Sequence, residues 1–124
     1  MSDHWPTELR VAKDRRSLAV TFDDGAAFTL PAEMLRVLSP SAEVQGHGPG
    51  QKVTVPGKRN VEITSVTPVG NYAVRIGFDD MHGSGIYTWT YLRELGEKGA
   101  EMFAEYEREL AEKGLSRDAP VRAR

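Results

Sequence analysis

The chain has 124 residues, a formal net charge of −2 and no cysteine. That length gives one domain with a single core, and near-cancelling charge argues against electrostatic capture of nucleic acid or an anionic membrane. The lack of cysteine excludes disulfides, thiolate catalysis and sulfur-ligated metal sites, and fits a reducing compartment.

The N-terminus, MSDHWPTELR, has no apolar signal core. No run approaches membrane-spanning length, so the expected location is cytoplasmic. Thr7–Ala12 alternates weakly, with Leu9 and Val11 on one face. Ser17–Phe22 alternates more strongly through Leu18, Val20 and Phe22 and predicts a strand. Asp23-Asp24-Gly25 is a hairpin turn, and Ala26–Leu30 returns as the partner strand. Pro31 suits the first turn of a helix over Ala32–Leu38, which Ser39-Pro40 ends.

Residues 39–59 are glycine- and proline-rich and read as a long loop, with at most one helical turn starting at Ser39. Val61–Val66 and Tyr72–Phe78 are the next strands, joined antiparallel by a turn at Pro68–Asn71. Asp79–Gly85 is a loop, and Ile86 and Tyr87 resume a strand. Thr88 caps a short helix through Leu95, with Gly96 as its stop. A last helix, from about Glu97 to Lys113, carries Met102, Phe103, Tyr106 and Leu110 at helical spacing. Its narrow apolar stripe suits packing on its own sheet or, in a homodimer, on a second subunit. Residues 114–124 read as a disordered tail, leaving one domain over 7–113.

The two halves say the same thing. LAVTFDDGAAFTLPAEMLRVL and AVRIGFDDMHGSGIYTWTYLREL both run from a strand into Phe-Asp-Asp and end in a Leu-Arg segment. Phe22 matches Phe78, and Leu35-Arg36 matches Leu92-Arg93, with one extra residue in the second copy. The expected fold is therefore α+β: two hairpin-plus-helix units forming a small antiparallel sheet, with a C-terminal helix packed on it.

Candidate chemistry concentrates in the second copy. His82 lies in a glycine-flanked loop after Asp79 and Asp80, an imidazole–carboxylate group suited to a metal or to acid–base work. His47, between two glycines, is a second candidate, and the bland alternative for both is a solvated loop histidine. The twin placement of Asp23-Asp24 and Asp79-Asp80 favours turn chemistry over a catalytic carboxylate pair. Lys58-Arg59, Arg75 and Arg36 offer a small anion patch, although no Walker-type loop is present. Tyr72, Tyr87, Trp89 and Tyr91 form an aromatic group that serves either as core or as a partner surface. No serine stands in a nucleophile elbow, so no catalytic constellation is found and the expectation is a non-enzyme.

LPAEMLRVLSPSAEVQGHGPGQ, GKRNVEI and PVGNYAVRIGFDDMHGSGIYTW together resemble the bacterial DUF971 family, the gamma-butyrobetaine hydroxylase-like N-terminal domain. The resemblance spans roughly residues 7–110. It implies an accessory domain, found alone, fused to P-loop ATPases of iron–sulfur cluster handling, or preceding a 2-oxoglutarate oxygenase. In the oxygenases such a domain holds zinc through three cysteines and a histidine. Those positions fall here on about Ser39, Ser41, Val44 and His82, so His82 alone keeps a ligand's chemistry. Two expectations follow from the resemblance. One is a protein-interaction module presenting His47, Tyr87, Trp89 and Tyr91 to a partner protein. The other is an iron or zinc site anchored by His82, with Asp79, Asp80 or His47 as co-ligands.

Overall fold

The computed structural model describes residues 4–40, 54–80 and 85–118. The expectations placed on residues 41–53, on His47 among them, and on His82 lie outside the described residues. The first unit is a three-stranded antiparallel meander followed by a helix: β1 (Pro6–Val11), β2 (Ser17–Phe22), β3 (Ala27–Pro31) and α1 (Ala32–Val37). The alternation in β2 works as read: Leu18, Val20 and Phe22 are buried while their neighbours are only partly so. Asp24 shapes the β2–β3 turn by accepting the Ala26 N–H at 3.1 Å, and Gly25 takes a φ of 90°.

The second unit repeats the first: β4 (Ile63–Val69), β5 (Ala73–Phe78), β6 (Gly85–Thr88) and α2 (Trp89–Glu112). The correspondence reaches single backbone groups. A register shift lies between Pro6 and Glu8 opposite Phe22; its counterpart lies between Ile63 and Ser65 opposite Phe78. The first helical N–H of each unit bonds to the residue before the central strand, Ala32 to the Arg16 carbonyl and Trp89 to the Tyr72 carbonyl. The repeat is thus βββα, one strand longer than a hairpin plus helix. The α+β class holds, with the strands divided between two three-stranded sheets.

Both units bury one face in a common core that includes Leu18, Phe22, Leu35, Ile63, Ile76, Tyr87, Leu92 and Leu95. The tightest corrections to the sequence reading fall in the second half. β4 runs on to Val69, so the turn sits later, with Gly70 at a φ of 56°. Thr88 is the N-cap as expected, its Oγ1 accepting the Tyr91 N–H at 3.1 Å. Gly96 is not a stop: α2 is one helix of 24 residues. Residues 115–118, expected in a disordered tail, lie against the body instead. The Gly57 and Arg59 N–H groups donate to the Ser116 and Arg117 carbonyls, both at 2.9 Å. Arg117 also grips the Glu33 carboxylate with two bonds at 2.7 and 2.8 Å. No helix among the described residues is long and apolar enough to cross a membrane.

Close packing, rather than termination, accounts for Gly96. A Cβ there would stand 2.5–2.7 Å from the Phe28 ring. An aromatic ring cannot bend away, so Gly96→Ala is expected to destabilise by about 1–3 kcal/mol despite the helix-propensity gain. At Gly99 the added Cβ meets only the end of Met34, at 2.9 Å. That flexible thioether can move, so Gly99→Ala is expected within about 1 kcal/mol of neutral. Urea midpoints of the two variants check the contrast.

Candidate functional site

The two Asp-Asp turns sit at equivalent places, and each is bound by the helix of the opposite unit. Arg36 of α1 donates its Nε to Asp80 Oδ2 at 2.7 Å. Arg93 of α2 donates through both terminal nitrogens to the two Asp24 oxygens at 3.0 Å each. Arg36 matches Arg93 in the repeat and Asp80 matches Asp24, so the two ion pairs form a reciprocal clamp between the units. Each turn also receives a second basic group from the segment before its own first strand. Lys58 Nζ reaches Asp80 Oδ2 at 2.7 Å, and His4 Nδ1 stands 3.2 Å from Asp23 and 3.8 Å from Asp24.

The environments of the two clamps differ. Arg36 is 1 % exposed and Asp80 16 %, so this pair sits in low dielectric. Arg93 lies over the rings of Phe22 and Phe28, 5.1 and 5.7 Å from their centroids, and also holds Glu97. Its hydrogen bonds hold the Asp24 carboxyl down at about 2, helped by the Ala26 N–H.

Beside the second turn is a cleft of about 290 Å³ lined by Gly57, Lys58, Asn60, Val61, Asp79 and Asp80. Both aspartates there have structural tasks. Asp79 Oδ1 accepts the Glu62 N–H at 3.0 Å, while the Asp79 N–H donates to the Glu62 carbonyl at 2.9 Å. Asp80 joins Arg36 and Lys58. The anticipated cation patch is only half assembled, since Arg36 and Lys58 meet on Asp80. Arg59 instead pairs with Asp118 at 2.5 Å, and Arg75 lies on β5 opposite Thr67 and Ile86.

The aromatic group divides in two. Tyr87, expected on a partner surface, is fully buried, and its hydroxyl donates to the Leu35 carbonyl at 2.5 Å. Tyr91 is partly buried and its hydroxyl donates to the Leu38 carbonyl. These two tyrosines supply donors to carbonyls at the C-terminal end of α1, which stops at Val37. Burial pushes the Tyr87 hydroxyl well above the usual phenol range, and the Tyr91 hydroxyl up to about 12, so both remain neutral donors. Trp89 is half-buried and donates its indole N–H to the Asn71 carbonyl at 2.8 Å. The surface left by this group is Tyr72, 53 % exposed, with Ile86, 40 % exposed.

One constellation escaped the sequence reading. His4, Asp23 and Asp24 bring possible ligand atoms within 4.8 Å of one another. The pairing of β1 with β2 places His4 there, a long-range contact that no local pattern announces. The Arg93 fork bonds both Asp24 oxygens, so a cation there would share that carboxylate with a guanidinium.

A duplicated βββα domain, cross-clamped by arginine–aspartate pairs, is the class that this geometry defines. The family model for gamma-butyrobetaine hydroxylase-like N-terminal domains matches residues 9–93, and the chain belongs to that family. Solved structures agree. One protein determined by NMR in solution is 42% identical, with a TM-score of 0.83 over 98% of this chain and 96% of its own. A second NMR structure is 41% identical, with a TM-score of 0.79 over 98% and 94%. The crystal structure of a DUF971 protein of unknown function from Acidithiobacillus ferrooxidans ATCC 23270 is 40% identical, with a TM-score of 0.61 over 73% and 91%. No curated protein matches.

Proposed function

We propose that this domain is a non-enzymatic accessory module that docks on a protein partner, in the setting of iron–sulfur or 2-oxoglutarate oxygenase proteins. The observation carrying this reading is membership of the gamma-butyrobetaine hydroxylase-like N-terminal family. The polar groups support it: Arg36, Arg93, Asp24, Asp79 and Asp80 all hold the two units together or shape turns. The docking face lies on the β5–β6 side of the second sheet, where Ile86 on β6 and Tyr72 in the turn before β5 are exposed and Trp89 is half-buried. Quantitative pull-down from native lysate, comparing wild type with Tyr72→Ser/Ile86→Ser, tests it. A partner enriched by wild type and lost by the variant is expected. Equal capture by both would remove this face from consideration.

A second reading is an iron or zinc site anchored by His82. It draws support from Ser39, which is fully buried and so close to Gly85 that a Cβ at Gly85 would collide with its hydroxyl. A position equivalent to a family cysteine thus packs on the strand that begins three residues after His82. Metal analysis of protein purified without a histidine tag decides it. Substoichiometric metal, unchanged by His82→Ala, would sink this reading.

A further inference from the structure

Among the described residues, β1 pairs only with β2 and β4 only with β5, so the first strand of each unit has one edge with no described neighbouring strand. A cleft of about 410 Å³ lies where these edges approach, with Val11, Ala12, Lys13 and Arg15 on one side and Ile63–Val66 on the other. The β4 edge already takes one main-chain partner there, as the Ile63 N–H donates to the Arg15 carbonyl at 2.7 Å. Beyond Ile63, Thr64, Ser65 and Thr67 are exposed. An exposed edge directs unpaired N–H and C=O groups outward at alternate residues, which is a template for another strand. The pairing phase turns the Ser65 and Thr67 main-chain groups to β5 and the Val66 groups outward, and Pro68 has no N–H, so an added strand would be short.

Charge selects the kind of strand. Arg10, Lys58, Arg59, Arg93, Arg108 and Arg117 all pair with carboxylates. Lys13 and Arg15 line the cleft without a salt bridge to any described residue. Of the acidic groups beside them in sequence, Asp14 uses its carboxylate to accept the Arg16 N–H at 3.0 Å; Glu62 is the other. Lys13 and Arg15 are the charged residues among those lining the cleft, so its rim is net positive. Arg15 also holds a φ of 63°, a left-handed conformation that residues with a Cβ adopt rarely.

We propose that this cleft receives an extended acidic segment of a partner protein. The segment adds as a strand to the β4 edge and sets its carboxylates against Lys13 and Arg15, main-chain bonds giving affinity and the charges selecting the sequence. The lining residues differ from those of the β5–β6 face, so this surface stands or falls separately from it.

The test is an amide-resolved NMR titration of the full-length ¹⁵N-labelled chain with a blocked decapeptide of alternating glutamate and threonine. Two control peptides carry lysine for glutamate, or N-methyl groups at alternate residues. The acidic peptide is expected to shift the Ile63 and Val66 amides, which face the cleft, and both controls to bind at least roughly tenfold more weakly. Lys13→Glu/Arg15→Glu should weaken the acidic peptide similarly while its own spectrum remains that of a folded chain. The proposal is overturned if those amides stay unmoved at millimolar acidic peptide, or if the lysine peptide binds equally well. Concentration-dependent shifts of the same amides without peptide would make a second copy the occupant, and would overturn it too.

Discussion

Arg36→Ala is expected to destabilise the fold by about 3–5 kcal/mol, the cost of breaking a buried ion pair on one side. Arg36 is 1 % exposed, and its Nε bond to Asp80 joins the first unit's helix to the second unit's turn. Truncation removes that bond, leaves Asp80 with one fewer neutralising cation, and opens space where a long side chain was packed. Arg36→Met restores most of the volume without the charge, so it should recover part of the loss and separate packing from electrostatics. Asp80→Asn should cost a comparable amount from the other side, because Arg36 and Lys58 both lose their shared counter-charge. In a double-mutant cycle the combined loss should fall short of the sum. The equivalent substitution in the other clamp, Arg93→Ala, should cost clearly less, since the Asp24 end of that pair is open to solvent and screened. Urea unfolding of the set measures the order. Equal losses at Arg36 and Arg93 would contradict the assignment of the buried pair as the stronger joint.

The duplication was legible because it is written in local pattern. Phe-Asp-Asp and Leu-Arg recur at matching places, and β2, β3, β5 and the β2–β3 turn follow from alternation and turn chemistry. The reciprocal clamp could not be read the same way. The Leu-Arg and Asp-Asp segments stand out as repeated, but which arginine meets which aspartate depends on how the units face each other. Arg36 and Asp80 are distant in sequence, as are Arg93 and Asp24. Gly96 misled for a related reason. Seen locally, a glycine after a capped turn is a stop, yet here it is the space that the Phe28 ring needs against a continuous helix. The stretch around Leu115 and Arg117 looked like tail because its anchors, Glu33 and the 57–59 segment, are far back in the chain. Long-range contacts override local propensity in each case.

Tyr87→Ala is expected to cost about 3–5 kcal/mol, as for other buried aromatics truncated in a core. Its ring has no exposed surface and lies 6.2 Å from the Tyr91 ring, so truncation leaves a void among residues of both units. Tyr87→Phe isolates the hydroxyl. It keeps the ring but takes a donor from the Leu35 carbonyl at the end of α1, for an expected loss of about 1–3 kcal/mol. The repeat shows why this donor is needed in one copy only. The positions matching Tyr87 and Tyr91 in the first unit are Leu30 and Met34, which have no hydroxyl to give. α2 runs on to Glu112, so its carbonyls at the matching height find partners within the helix. α1 stops at Val37, and the Leu35 and Leu38 carbonyls at its end accept from the second unit's tyrosines. The aromatic difference between the copies is therefore the cost of ending one helix early, which places Tyr87 in folding and not in recognition. Thermal melts of Tyr87→Phe, Tyr91→Phe and the double variant measure it. If Tyr87→Phe melts like wild type, the α1 cap is not carried by that hydroxyl. Because Tyr87→Ala weakens the fold itself, any loss of partner binding in that variant reads as unfolding, whereas Tyr72→Ser/Ile86→Ser changes only exposed side chains.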